Sequence, residues 1–327
     1  MKKSLFYLLI SILLLSGCAK DKNKIPSEDI SIDRSDYETV ERNPYFSLKV
    51  PTYITNIDGL YFIVDCYNDQ VIYNDDLEDD ICYWSVMTKD IKMGHTVASD
   101  GEVYLIDDTE NNRILIMEKD VNEEGKPYFY PTQEFNNIGV RPHYIIYNKE
   151  DKTFYAWSSM TGQMYLFKKD KDSDKVFLTD IKSIDELNGF YVRSFTIMGD
   201  EIYFVSGNKN IIVADLKTFK IKQRYPVPDE LFGMIQLEKI EDYYYITIST
   251  DITGSQDAAT LIRTKDLNSL INGDYEDVYD KFIGGGTPYA ITKIGEDYYL
   301  CEHRLPEHSI WKFNVENNEI INQITLY

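Results

Sequence analysis

Basic residues are scarce in this chain. Its 327 residues carry 34 Lys and Arg against 55 Asp and Glu, a formal charge of −21 at pH 7. Phosphate neutralisation needs Lys and Arg, so this balance excludes a general nucleic-acid binder. It excludes broad adsorption to anionic lipid on the same ground. Cysteine is also sparse, four residues in all, with no Cys-x-x-Cys pair and no spacing typical of a metal site. His-Glu-x-x-His and Gly-x-Ser-x-Gly are absent. Gly284-Gly285-Gly286 lacks the Lys-Ser/Thr and following helix of a phosphate loop, so it reads as a tight turn. Carboxylate pairs abound, but among 55 acids they carry no information about glycosidase chemistry. No stretch has a convincing helical period.

What is present is apolar and aromatic. Hydrophobic residues make up 43% and aromatics 14%, enough for a sizeable core, and the 27 Tyr suit strands better than helices. One apolar run stands apart. Residues 1–17 place Lys2 and Lys3 before Leu5 to Leu15, about half the length of a membrane span and typical of a signal peptide. The ending Leu15-Ser16-Gly17-Cys18 resembles the lipobox of bacterial lipoproteins. That resemblance implies cleavage before Cys18, a diacylglycerol on its sulfur with further acylation such as palmitate, and an extracytoplasmic, membrane-anchored protein of the cell envelope. Residues 18–44 then form the lipidated Cys and a flexible polar tether with Pro26. Cys66, Cys82 and Cys301 are read as buried thiols, with at most one disulfide.

From residue 45 onward the chain repeats. Each unit opens with a short apolar strand, turns at an acidic or Gly pair such as Asp58-Gly59, Asp100-Gly101 or Glu241-Asp242, and enters a Tyr- or Phe-rich strand. The second strands read LYFIVD, EVYLID, TFYAWS, EIYFVS, YYYITI and YYLCE. Units anchored at Thr52, His95, His143, Ser194, Met234 and Tyr289 recur at intervals of roughly 40–55 residues. Four short strands per such period is the signature of propeller blades. The expected fold is therefore all-β: a six-bladed β-propeller of four-stranded antiparallel blades over residues 45–327, monomeric. Two closures remain open. The strand at 318–326 completes the last blade alone, or Tyr45 to Val50 adds a strand there and latches the ring.

Unit 2 contains VYLIDDTENNRIL, with Asp108, Asn111, Arg113 and Ile114. This resembles the NHL repeat, whose core is Asp-x-x-Asn-x-Arg-Ile between two strands. Unit 1 carries a weaker copy with Asp65, Asn68 and Gln70, while Ser158 and Ser206 take the Asp position in units 3 and 4. The resemblance covers about two blades and implies a six-bladed ring. The polar residues of the motif are expected to stabilise the blade turn.

The entry into each first strand and the loop from second to third strand emerge on one face. All four histidines map there: His95 and His143 at first-strand starts, His303 and His308 in CEHRLPEHS. Arg141, Arg193 and Tyr289 join them, with Glu302, Arg304, Asp65 and Asp108 nearby. The loop DITGSQDA, from Asp251 to Ala258, is placed to overhang as a lid. The candidate ligand-binding or catalytic residues are thus His95, His143, Arg141, Arg193, Tyr289 and His303. Two functions fit. One is a binding module for a protein, peptide or glycan, which the missing catalytic motifs favour. The other is an enzyme, since some NHL-type and related six-bladed propellers are lyases or lactonase-like hydrolases that hold a divalent metal. Under it His95 and His143 bind metal or act as base, Tyr289 donates a proton, and Arg141 or Arg193 clamps a carboxylate. An anionic ligand suits this rim better than a cation.

Overall fold

The computed structural model describes residues 25–305 and 307–327. The expected signal peptide, the lipobox-like pattern and Cys18 lie outside the described residues. Six antiparallel sheets form a ring, each built from four consecutive strands. Their first strands are Pro51–Ile57, Val97–Ser99, Pro142–Asn148, Phe195–Met198, Met234–Ile240 and Thr287–Ile294. These lie at the centre and pack on one another across blade boundaries.

Strand alternation explains the ring. In the second strand of blade 2, Val103–Asp108, every residue is buried. Val103 and Leu105 pack with Phe154, Ala156 and Phe167 of blade 3. Tyr104 and Ile106 point the other way, against Phe62, Val64 and Val71 of blade 1. The same two-sided use recurs between blades 3 and 4, 4 and 5, and 5 and 6. A sheet apolar on both faces must be covered on both faces. A ring of blades does this for every sheet at once.

Closure uses packing rather than a shared sheet. Glu319–Thr325 pairs with Ile310–Glu316 and completes blade 6 from its own chain segment. Tyr45 to Val50 adds no strand, which settles the two alternatives. Ile54, Ile63, Ile72 and Trp84 of blade 1 meet Tyr299, Cys301 and Ile310 of blade 6. The Tyr327 ring stands edge-on to Trp84 at 5.9 Å, and its hydroxyl donates to the Leu77 carbonyl at 2.6 Å.

The flexible tether expected over 18–44 is corrected in its described part. Glu28–Asp29 pairs with Pro127–Phe135, adding a fifth strand to the outer edge of blade 2. Ile25 packs on the cluster between blades 2 and 3, and Ile30 and Val40 on that between blades 1 and 2. Asn43 is buried and donates to the Ile81 carbonyl at 3.0 Å. A few well-spaced apolar side chains anchor a segment whose average composition is polar. Cysteine needs a smaller correction. Cys66 and Cys301 are buried thiols, but Cys82 is half-exposed, and all three are free.

The Asp108-Asn111-Arg113 constellation builds a turn. Asp108 is fully buried and accepts from the Lys92 backbone N–H at 2.7 Å, from Asn111 Nδ2 at 2.9 Å and from Arg113 Nε at 2.8 Å. Arg113 also bonds Glu134 at 2.7 Å and the Asp90 carbonyl at 2.6 Å. Removing one partner of such a buried pair leaves the other charge unpaired. Arg113→Ala should therefore cost about 3 kcal/mol of unfolding free energy, measured by urea denaturation. A loss below about 1 kcal/mol would mean that the turn does not depend on this network.

Candidate functional site

The site begins with how the inner strands enter the ring. In blade 2 the fully buried Asp107 carboxylate accepts from the backbone N–H groups of His95 at 2.8 Å and Thr96 at 2.6 Å. The Thr96 and Thr109 hydroxyls add bonds of 2.7 and 3.0 Å. Burial outweighs these bonds and lifts the Asp107 carboxyl to about 6. This clamp plants His95 at the channel mouth. In blade 3 the entry residue Arg141 adopts a left-handed backbone, φ 60°, and its N–H donates to Asn112 Oδ1 at 2.7 Å. Arg141 therefore reaches the mouth through a turn, not through the extended chain that simple alternation assumes.

At that mouth lies a cavity of about 210 Å³. Five of the six sequence-derived candidates line it: His95, Arg141, Arg193, Tyr289 and His303. The sixth, His143, is buried against them and does not itself line the cavity. Its imidazole stacks on that of His95, with ring centroids 3.6 Å apart and planes 20° from parallel. The Tyr289 hydroxyl lies 3.0 Å from His95 Nδ1 and 3.4 Å from His143 Nε2. The Tyr191 hydroxyl lies 2.9 Å from the same Nε2. His303 is a looser neighbour, its ring 6.3 Å from that of Tyr289.

Hydrogen bonding fixes one tautomer. His143 Nδ1 faces the Arg193 carbonyl at 3.0 Å, and a carbonyl only accepts. Nδ1 therefore carries the proton, and Nε2 of the neutral ring is the acceptor for the tyrosine hydroxyls. Burial, followed by the charges of Arg141 and Arg193, pulls His95 down to about 3. His143 falls well below its usual range through burial, then through His95 and the two arginines. Burial, then the Arg304 and Arg193 charges, lowers His303 to about 4. Tyr289 moves the other way: burial, reinforced by Tyr191, raises it well above its ordinary value. At neutral pH the cluster is thus neutral imidazoles and the protonated Tyr289 phenol beside two arginine side chains.

Those cations differ in their commitments. Arg141 pairs with Glu110 at 2.6 Å, yet its Nε is buried with no partner. Arg193 stacks over the Tyr191 ring at 4.8 Å and donates to Ser249 Oγ at 3.1 Å. Among the described residues no carboxylate lies within ion-pair distance of Arg193. Among the described residues no Asp or Glu lines the cavity.

Several residues mapped nearby serve structure instead. Glu302 is buried, accepting from Tyr279 and from Trp311 Nε1. His308 stacks on Trp311, away from the cavity. Asp65 receives the Lys49 and Val50 N–H groups. Sequence reading missed Tyr191, Ser249 and Thr287 as lining residues. Tyr191 sits two residues before Arg193, a spacing that flags it once Arg193 is singled out. The overhanging loop contributes Gln256, held by Arg304.

A resident metal does not fit this donor set. Among the described residues no group of three or more His, Cys, Asp or Glu could hold a metal ion. His95 and His143 lie face to face, their nitrogens engaged by Tyr289, Tyr191 and a carbonyl, beside two fixed cations.

The depressed imidazoles carry a pH signature. The unfolded chain takes up a proton on His95 as pH falls through about 6.5, whereas the folded chain resists until about 3. Stability from this group is full above 6.5 and falls away below it. Glu238 and Asp107, raised to about 7 and about 6 by burial, pull in the opposite sense. A comparison with His95→Asn cancels that pull. The variant's melting temperature should fall less steeply than that of the wild type between pH 6.5 and 4.5, by scanning calorimetry. Parallel slopes would mean that His95 is not held neutral.

Comparison with known proteins reaches only the fold. No protein-family model matches the chain, and no curated protein is similar to it. Solved propellers are similar at low identity. One, from Bacteroides fragilis, carries the provisional name 6-phosphogluconolactonase; it is 13% identical, with a TM-score of 0.59 and 84% of each chain covered. An inactive variant of virginiamycin B lyase from Staphylococcus aureus, with quinupristin, is 14% identical at TM-score 0.53, over 92% of this chain and 88% of that one. The WD40 propeller domain of Doa1 is 12% identical at TM-score 0.53, over 88% and 86%. These likenesses establish a β-propeller, and the six blades are counted directly from the sheets.

Proposed function

We propose that the protein binds a small acidic molecule in the cavity at its channel mouth. One observation carries this reading. In a chain of net charge −21, the cavity wall holds two arginines, neutral imidazoles and no carboxylate. Arg forks match carboxylates and phosphates. Arg141 and Arg193 supply the cationic end of the site, and Tyr289, Ser249, Thr287 and Gln256 supply further polar contacts. The volume is below the roughly 300–1,000 Å³ of drug-sized sites, which suits a compact acid such as a sugar acid.

A second reading is enzymatic, and the Tyr289–His95–His143 cluster favours it. A phenol shared between two neutral imidazoles is placed to take a proton from a bound molecule while passing its own to the bare Nε2 of His143. Lactone hydrolysis and elimination, the chemistries named for two of the similar propellers, are the classes to test. Calorimetric titration with gluconate or glucuronate separates the readings. Arg141→Ala should abolish binding with a melting temperature changed by no more than a surface ion pair allows, about 1 kcal/mol in stability. Tyr289→Phe should keep binding; if the cluster is catalytic, it loses turnover of the matching lactone by at least ~100-fold. Unchanged binding in Arg141→Ala removes the acidic-ligand reading.

We further propose that the propeller is a lipoprotein held at the cell envelope through Cys18, as an NHL-type ring presented on the membrane. The Leu15-Ser16-Gly17-Cys18 pattern and the Asp108-Asn111-Arg113 turn support this. Cys18→Ala should abolish acyl labelling in cells and release the protein without detergent, because firm anchoring needs two lipid chains. Normal labelling of that variant would refute the anchor.

A further inference from the structure

We propose that the ligand of the channel-mouth cavity is an amphipathic acid, with its carboxylate at Arg141 and Arg193 and an aromatic or alkyl tail in an adjoining recess. The inference rests on the acidic-ligand reading and extends it to substrate class. The recess, about 500 Å³, opens between blades 4 and 5 on the mouth face. Its walls include Phe190, Phe232 and Met234, and it shares Tyr191, Arg193 and Thr250 with the cavity. The two spaces adjoin at these three residues, and the proposed ligand runs past them from one into the other.

Three features of the recess argue for a tail rather than a second polar group. Phe190 is 41% exposed on the loop that also places Tyr191 and Arg193, so its ring is accessible from the recess. The wall is kept close to the backbone by Gly233, where a Cβ would fall 2.3 Å from Thr250 Oγ1. Gly207, on the opposite side, leaves room: a Cβ there makes ordinary contacts, with the Tyr191 carbonyl at 3.5 Å, the Phe232 ring at 3.8 Å and the Tyr191 nitrogen at 3.9 Å. The positive charges near the recess are unequally free. Lys209 is paired with Asp229 at 2.6 Å, whereas Arg193 has its guanidinium stacked on Tyr191 and no carboxylate partner among the described residues. Charge recognition thus sits at the cavity end and apolar recognition at the recess end. A ring in the recess packs against Phe190 and Phe232, which favour offset or edge-on aromatic partners.

The experiment is an NMR titration of the full chain, in detergent, with three probes: butyrate, 4-phenylbutyrate and the uncharged 4-phenylbutanol. The expected result is that 4-phenylbutyrate binds at least ~10-fold tighter than butyrate, with 4-phenylbutanol weaker than 4-phenylbutyrate by a similar factor. Phe190→Ala should cancel the advantage of the phenyl group while leaving butyrate affinity unchanged. Gly207→Leu, which fills the recess instead of emptying it, should do the same; an unchanged melting temperature shows that either variant is folded. Equal affinity for the two acids overturns the tail site and leaves the acidic-ligand reading standing. Equal affinity for 4-phenylbutyrate and 4-phenylbutanol overturns the coupling of recess to arginines. Failure of both acids to bind overturns both readings.

Discussion

The arrangement depends on a polar clamp at the entrance of the inner strands. Asp65 takes the N–H groups of Lys49 and Val50, and Asp107 takes those of His95 and Thr96. In blade 3 the Ser158 hydroxyl accepts from the Val140 N–H and donates to the Val140 carbonyl. In blade 5 Ser249 Oγ donates to the Gly233 carbonyl. Each clamp sits at or just beyond the end of a second strand and holds the start of the first strand of its own blade. The chain arrives there with backbone groups that have no sheet partner yet, and a buried backbone group without a partner is costly. The side-chain acceptor removes that cost and sets where the following side chains point. His95 and Arg141 owe their places to it.

The clamps meet at a mouth whose charge differs from that of the whole molecule. Carboxylates crowd the outer surface, yet those close to the mouth are consumed. Asp107 and Asp65 are occupied by N–H groups, and Glu110 by Arg141. What remains to face the cavity is Arg193, Arg141, tyrosine side chains and imidazoles held neutral by burial. The two arginines help to keep those imidazoles uncharged, so the positive charge stays on groups that do not titrate near neutrality. The mouth keeps its sign over the physiological range for that reason.

The fold places these groups without naming their chemistry. Propellers similar to this chain carry names from a lactonase to a lyase to a WD40 domain, all at 14% identity or below. A superfold hosts many functions, and the site has to speak for itself. Here it speaks through a stacked histidine pair, a shared tyrosine and two arginines from adjacent blades.

Six units of four strands were legible in the sequence because blade structure is local. Each hairpin is made by neighbours in the chain, and alternation with Gly or acidic turns records it. The turn role of Asp108, Asn111 and Arg113 was legible for the same reason, as all three lie within six residues. The candidate rim residues could also be drawn from strand order, since topology alone decides which ends share a face. Contact across the ring was another matter. Tyr289 meets His95 across 194 positions and His143 across 146, and only closure brings them together. That His143 stands behind the cavity, that Arg141 turns through a left-handed residue, and that Tyr191 completes the wall were decided by tertiary packing. The docking of residues 25–44 belongs with them: Ile25, Ile30 and Val40 find their grooves only once the blades exist, and no local pattern in a polar segment announces that.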